Sequence, residues 1–107
     1  MAQSIVTRYE GICLICGRPV EATHHLIFGV DRSRADADGL IIPLCNNCHN
    51  MAGGTRMIHG NSMAEAMSKM MGQLAWEKDY YRDHAGEQGD KDPARDAFMK
   101  RYGRSYL

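Results

Sequence analysis

The chain carries two cysteine pairs of identical spacing, Cys13-x2-Cys16 and Cys45-x2-Cys48, and no other cysteine. A thiolate is the soft ligand that divalent zinc prefers, and a two-residue spacer on a tight turn lets both sulfurs of a pair face one ion. Two such pairs supply the four corners of a tetrahedron. One structural Zn2+ on Cys13, Cys16, Cys45 and Cys48 is therefore expected. A 107-residue chain has a thin core, and such a clamp would provide much of its folding free energy. Cys45-Asn-Asn-Cys48-His49 also fits C-x-x-C-H, the pattern of covalent haem attachment. That chemistry would leave Cys13 and Cys16 without a role and would require export. The first thirty residues hold Arg8, Glu10, Arg18 and Glu21 with no apolar signal stretch between them. A redox role for either pair lacks the βαβ surroundings of thioredoxin-like motifs.

The second cluster is histidine. His24, His25, His49 and His59 fall within 36 positions, whereas the fifth, His84, sits in a polar stretch and reads as solvated. His24 and His25 lie in a run with strand character, and neighbouring strand residues point to opposite faces. One imidazole can then turn to a metal while the other stays metal-free. His49 follows Cys48 directly, so closing the cysteine site also aims His49. His59 lies ten residues further on. Scattered surface histidines would be the plain alternative, but crowding beside a cysteine knuckle favours a second metal site.

The elements that must position these groups can be outlined from the pattern. Residues 1–12 form a short lead with Ile5, Val6, Tyr9 and Ile12. Residues 13–19, CLICGRP, read as a tight knuckle in which Gly17 frees the backbone and Pro19 stops any helix. Residues 20–28 read as a strand through β-branched Val20, Thr23 and Ile27, residues 29–39 as a loop, and 40–44 as a second short strand limited to an edge or terminus by Pro43. CNNCHNMA opens a helix-like turn that Gly53 and Gly54 break. From Ser62 an amphipathic helix is expected, with Ser62 as N-cap, Glu65 closing a capping box, and Met63, Met67, Met70, Met71 and Leu74 as its core-facing stripe. Residues 84–92 are a polar connector. Asp92-Pro93 then starts a last helix that carries Phe98, Met99 and Tyr102 and ends at Gly103. The expected fold class is α+β, a zinc-stabilised core over 1–62 with a helical extension over 63–107 packed on it.

Composition narrows the function classes. With 44% apolar and 24% charged residues the chain is globular, and no apolar run approaches a membrane span. A cytoplasmic protein with no membrane partner is the expectation. Thirteen basic residues balance thirteen acidic ones, so any contact with nucleic acid must rest on local basic groups. Arg32 and Arg34 lie between the two strands and Arg56 lies before His59; guanidinium forks of this kind suit phosphate. Arg95, Lys100, Arg101 and Arg104 crowd the last helix, either as a basic patch or as an ordinary solvated face.

The order of these motifs, CLICG, ATHHLIFG, DGLIIPLC and CHNM across residues 13–62, resembles the HNH endonucleases of the His-Me finger, or ββα-metal, class. The tail from AWEKDYY to YGRSYL is similar to that of small phage- or prophage-encoded members. The resemblance implies a ββα-metal core and metal-dependent hydrolysis of DNA phosphodiester bonds. It implies catalytic roles for His25, His24 and His49: His25 as general base, His24 and His49 as ligands of a catalytic divalent ion (Mg2+, Mn2+, Ni2+ or Zn2+). His59 would be a third ligand, with Asn50 as the alternative. Products would carry a 5′-phosphate and a 3′-hydroxyl, and partners would be DNA and, in phage, packaging or recombination proteins. An imidazole with an ordinary pKa near 6.5 suits proton abstraction at neutral pH. The family's middle Asn has no clear match, because Asp38, Gly39 and Leu40 occupy its place. Asp38 or a backbone carbonyl is then the candidate for orienting His25. A non-catalytic zinc-binding nucleic-acid or phage accessory module is the alternative function.

Overall fold

A computed structural model describes residues 3–53, 56–84 and 92–107. Strand β1 (Ala22–His25) pairs antiparallel with β2 (Ile41–Leu44), and the register sets His24 opposite Ile42 and His25 opposite Ile41. The strands are shorter than the apolar runs that announce them. Pro43 sits inside β2 opposite Thr23, tolerated because the sheet has two strands among the described residues and each is an edge. The Pro43 carbonyl accepts a hydrogen bond from Leu14 N at 2.9 Å, and Leu44 O accepts one from Glu21 N at 2.9 Å. These two bonds lay the first cysteine knuckle along β2, directly beside the point where Cys45 leaves the strand. Inside the knuckle Gly17 has φ 79°, the left-handed turn that returns the chain toward Cys13 O at 2.9 Å.

The segment between the strands is not the expected loop. A single 3-10 turn, Gly29–Asp31, runs into a short helix α1 (Arg32–Ala37). Ala35 is fully buried on its inner face and Arg34 reaches back to Asp31, so tertiary burial organises residues whose composition suggests a loop. Gly39, at φ 75°, ends the helix, and the backbone carbonyl of Gln3 occupies the place a Cβ would need. After β2 the second knuckle continues as one wide π-helical turn, Asn47–Met51, which stops before Gly53 at φ 82°; Gly54 lies outside the described residues.

Two helices complete the domain. Helix α2 (Ser62–Asp83) is capped by Asn61, whose side chain accepts from Ala64 N, one residue before the expected Ser62. Glu65 then closes no capping box; its carboxylate accepts from Gly60 N at 3.2 Å. Helix α3 (Pro93–Tyr102) starts and ends as its sequence predicts: Asp92 accepts from Arg95 N, Pro93 opens the helix, and Gly103 closes it at φ 81°. Residues 85–91 of the expected connector lie outside the described residues. The core gathers Leu26, Ile27, Leu40, Ile42, Leu44, Ile58, Phe98 and Tyr102 with Cys13 and Cys45. No helix among the described residues is long and apolar enough to cross a membrane.

The methionine stripe is the main departure from expectation. Met63, Met67, Met70, Met71 and Leu74 face outward, and α2 buries Ser68, Gly72, Gln73 and Glu77 instead. Packing distance explains the inversion. A Cβ on Gly72 would lie 3.0 Å from Ile27 Cγ1 and 3.1 Å from Leu26 Cβ, so the helix rides too close to the strand end for long side chains. Its buried polar groups are all bonded: Gln73 to Glu77, Ser105 and Tyr106 N, and Glu77 to Arg95. The periodicity gives the helix and its apolar face correctly, but periodicity does not say which face lies inward.

Candidate functional site

The four cysteines converge. Their sulfurs all lie within 4.8 Å of one another, with Cys16 Sγ 3.6 Å from Cys45 Sγ. Tetrahedral thiolate ligands at about 2.3 Å from zinc stand about 3.8 Å apart, so this cluster can hold such an ion. Cys48 N also donates to Cys45 Sγ at 3.4 Å. The thiols do not share one acidity. Burial raises Cys13, but the backbone N–H groups of Cys16, Cys45 and Ile15 outweigh it and draw the thiol down to about 6. Burial and the neighbouring sulfurs push Cys48 up to about 12. Four thiolates this close repel one another, and a shared cation relieves that repulsion.

His24, His49 and His59 form a second cluster whose ring nitrogens also lie within 4.8 Å of one another. Each ring arrives by a different route. His24 is held by β1. His49 is carried by the wide turn that starts at the second knuckle. His59 returns from beyond Gly53, because Ile58 N and His59 N donate to Cys48 O and His49 O, each at 3.0 Å. That backbone pairing sets His59 against His49, with ring centroids 4.7 Å apart, while Asn50 is exposed on the turn. Phe28 closes one side of the trio at 4.9 Å from the His59 ring.

The hydrogen bonds around the trio fix which nitrogens face inward. Ser68 Oγ donates to Leu26 O at 2.8 Å, so it must accept from His24 Nε2, also at 2.8 Å. His24 therefore carries its proton on Nε2 and keeps a lone pair on Nδ1. That Nδ1 is the one buried side-chain polar atom among the described residues with no partner. Burial first, then the neighbouring imidazoles of His59, His49 and His25, drives the His24 pKa down to about 3, so the ring is neutral. Burial and the other imidazoles lower His49 as well. His59 Nδ1 lies 3.4 Å from Glu65 Oε2, which leaves its Nε2 for a ligand. An orphaned buried nitrogen beside two neighbouring imidazoles fits a divalent ion, and His24 and His59 each have the other ring nitrogen bonded to a supporting side chain.

His25 points the other way from His24. It is buried and donates Nε2–H to Asp36 Oδ1 at 2.9 Å. The lone pair is then on Nδ1. Thr23, His25, Phe28, Arg32, His49 and His59 line one cavity of about 210 Å³, and a larger hollow of about 710 Å³ adjoins it along His25, Arg32, Ser33 and Asp36. Asp36, not Asp38, is the partner of His25. Asp38 is taken by Arg101 at 2.6 and 2.7 Å, Tyr102 at 2.7 Å and Trp76 at 3.0 Å, and ties α1 to both later helices.

The arginines separate. Arg32 lines the cavity beside His25, Arg34 is bonded to Asp31 at 2.7 Å, and Arg56 lines a hollow beside Cys16, Cys45 and Cys48, away from the histidine cavity. The basic cluster of α3 is partly neutralised, since Arg95 pairs with Glu77 and Arg101 with Asp38. Asp36, Ser68 and Glu65 have no signature in the sequence. Asp36 reads as loop chemistry and Glu65 as a cap, Ser68 carries no signal at all, and only the fold gives the three imidazole partners.

Fold and site together define a small α+β domain with two groups of residues that can each hold a metal ion. Compared with protein-family models, curated proteins and solved structures, the chain matches none.

Proposed function

We propose that the protein is a metal-dependent endonuclease of the HNH, ββα-metal kind, with a structural zinc on the four cysteines. The observation that carries this reading is that His25, bonded to Asp36, opens on the same cavity as His49 and His59. A divalent cation on His24, His49 and His59 would supply Lewis-acid stabilisation of a phosphodiester and its leaving 3′ oxygen. The remaining work belongs to the chain. Arg32 holds a non-bridging phosphate oxygen at the cavity mouth. His25 Nδ1 takes a proton from the attacking water, and the imidazolium that results is stabilised by the Asp36 carboxylate. Water attacks phosphorus in line as the bond from phosphorus to the 3′ oxygen breaks, and that oxygen takes a proton from solvent, which leaves a 5′-phosphate and a 3′-hydroxyl. DNA is the substrate class, held by local groups because the chain has no net charge.

A plasmid-nicking assay with Mg2+, Mn2+, Ni2+ or Zn2+ tests the proposal. Nicked circles should accumulate with at least one ion, and His25→Ala should slow them by about 10²- to 10⁴-fold. No nicking under any ion, or equal rates for His25→Ala and the natural chain, would refute catalysis and leave a zinc-bound accessory module.

A further inference from the structure

We infer that the outward apolar stripe of α2 is an interface on which a second copy of this chain packs its own α2, antiparallel and about a two-fold axis. The inference stands apart from the metal chemistry, since no stripe residue is a member of either cluster. Met63, Met67, Met70, Met71 and Leu74 are exposed by 39% to 71%, with Met63 the most open. They occupy one face of a 22-residue helix whose opposite face is already used by the core. Together they leave on the order of 500 Å² of apolar surface in water, in the upper part of the range for a soluble chain's largest patch, a size that often marks an interaction site.

Two features select a second copy as the occupant. The first is spacing. Met63, Met67, Met70 and Leu74 follow steps of four, three and four, the alternation of a coiled-coil seam. Turned end for end, the same series meets itself: Met63 faces Leu74 of the second copy and Met67 faces Met70. Each layer then pairs the two kinds of seam position, as antiparallel coiled coils require. The flanking residues Ala64, Ala66 and Met71 carry no charge, so no like charges meet across the axis. The second is area. A symmetric pair of these stripes covers about 1,000 Å², the lower limit for a specific protein interface, so a micromolar dimer is the expected product. Thioethers suit such a seam because their flexible chains fill irregular gaps between two helices.

Sedimentation velocity on the full metal-loaded chain, from about 1 to about 300 µM, tests this across the micromolar range that an interface of this size reaches. The mass should rise toward twice the monomer value. Met67→Lys with Met70→Lys should weaken association at least tenfold while leaving metal content and melting temperature unchanged, because both side chains are exposed. Met51→Lys, at another exposed methionine, should leave association as it is. Methyl NMR on dilution should shift Met63, Met67, Met70 and Met71 and not Met51. A chain that stays monomeric at all concentrations overturns the proposal, and so does a dimer that survives the double lysine variant. A monomer whose stripe methyls shift only on adding a foreign amphipathic helix also overturns the second copy as occupant.

Discussion

The sulfur cluster and the imidazole cluster are built from neighbouring stretches of chain, yet they differ in what surrounds them. The sulfurs come from two tight turns tied to the same strand, and backbone N–H groups of those turns support them. The imidazoles come from a strand, a wide turn and a returning loop, and separate side chains bond two of them, Ser68 to His24 and Glu65 to His59, while Asp36 holds His25 beside the cluster. A cavity adjoins the imidazoles and a polar hollow opens beside it. A closed set of four soft ligands suits an ion that holds the fold, whereas on the proposed reading three imidazole nitrogens beside a cavity would leave a coordination position for a reactant. Under the proposed function, the support around each cluster, as much as its ligand set, separates a clamp from a working site.

Substitutions at the two clusters should have different consequences. The largest effect is expected at the sulfurs. Cys45→Ser, or chelation of the natural chain, should remove the cooperative melt in circular dichroism, because a structural zinc contributes on the order of 10 kcal/mol, as much as a whole small domain retains. A chelated chain with an unchanged melting temperature would show that the clamp is no clamp. Next is His24→Ala, which should reduce the metal content from two ions to one, keep the cysteine-bound ion, and bring nicking to background. Loss of both ions would merge the two centres into one folding unit.

Asp36→Asn should lower the nicking rate by about 10- to 100-fold while both ions stay bound, since it removes the carboxylate that orients His25 and stabilises its protonated form. A change in metal content in this variant would place Asp36 in the wrong role. Ser68→Ala should weaken the second ion by about 10-fold or more and cost about 1–3 kcal/mol of stability, because a buried His24 N–H loses its acceptor. Calorimetric titration of the metal into both proteins would read the first effect, and urea melts the second. The smallest change is expected from Glu65→Gln, a few-fold at most in metal affinity, because its contact with His59 is long and partly exposed.

Much of this organisation is legible along the chain, and the exceptions share a cause. Cys13, Cys16, Cys45 and Cys48 announce themselves by spacing alone. The caps of α3 follow from Asp92, Pro93 and Gly103, because these residues satisfy or end a helix through local backbone chemistry. Helix α1 escapes notice because burial of Ala35 outweighs the loop-like composition around it. The stripe of α2 is correct as a pattern and reversed in direction, since an amphipathic period marks two faces without naming the inner one. Asp36 supplants Asp38 beside His25 because α1, once helical, sets Asp36 toward β1 and leaves Asp38 at its end for Arg101, Tyr102 and Trp76.

Residue type and partners a few positions away are enough to say which side chains can bind soft and borderline metal ions, where the turns fall, and how the last helix begins and ends. The tertiary structure alone decided that His59 stands beside His49, that Ser68 and Asp36 set the tautomers of His24 and His25, and that the methionines of α2 look outward. Those outcomes rest on groups 10 to 44 positions apart. Such meetings follow from how closely a helix can approach a strand, and no local preference encodes that distance.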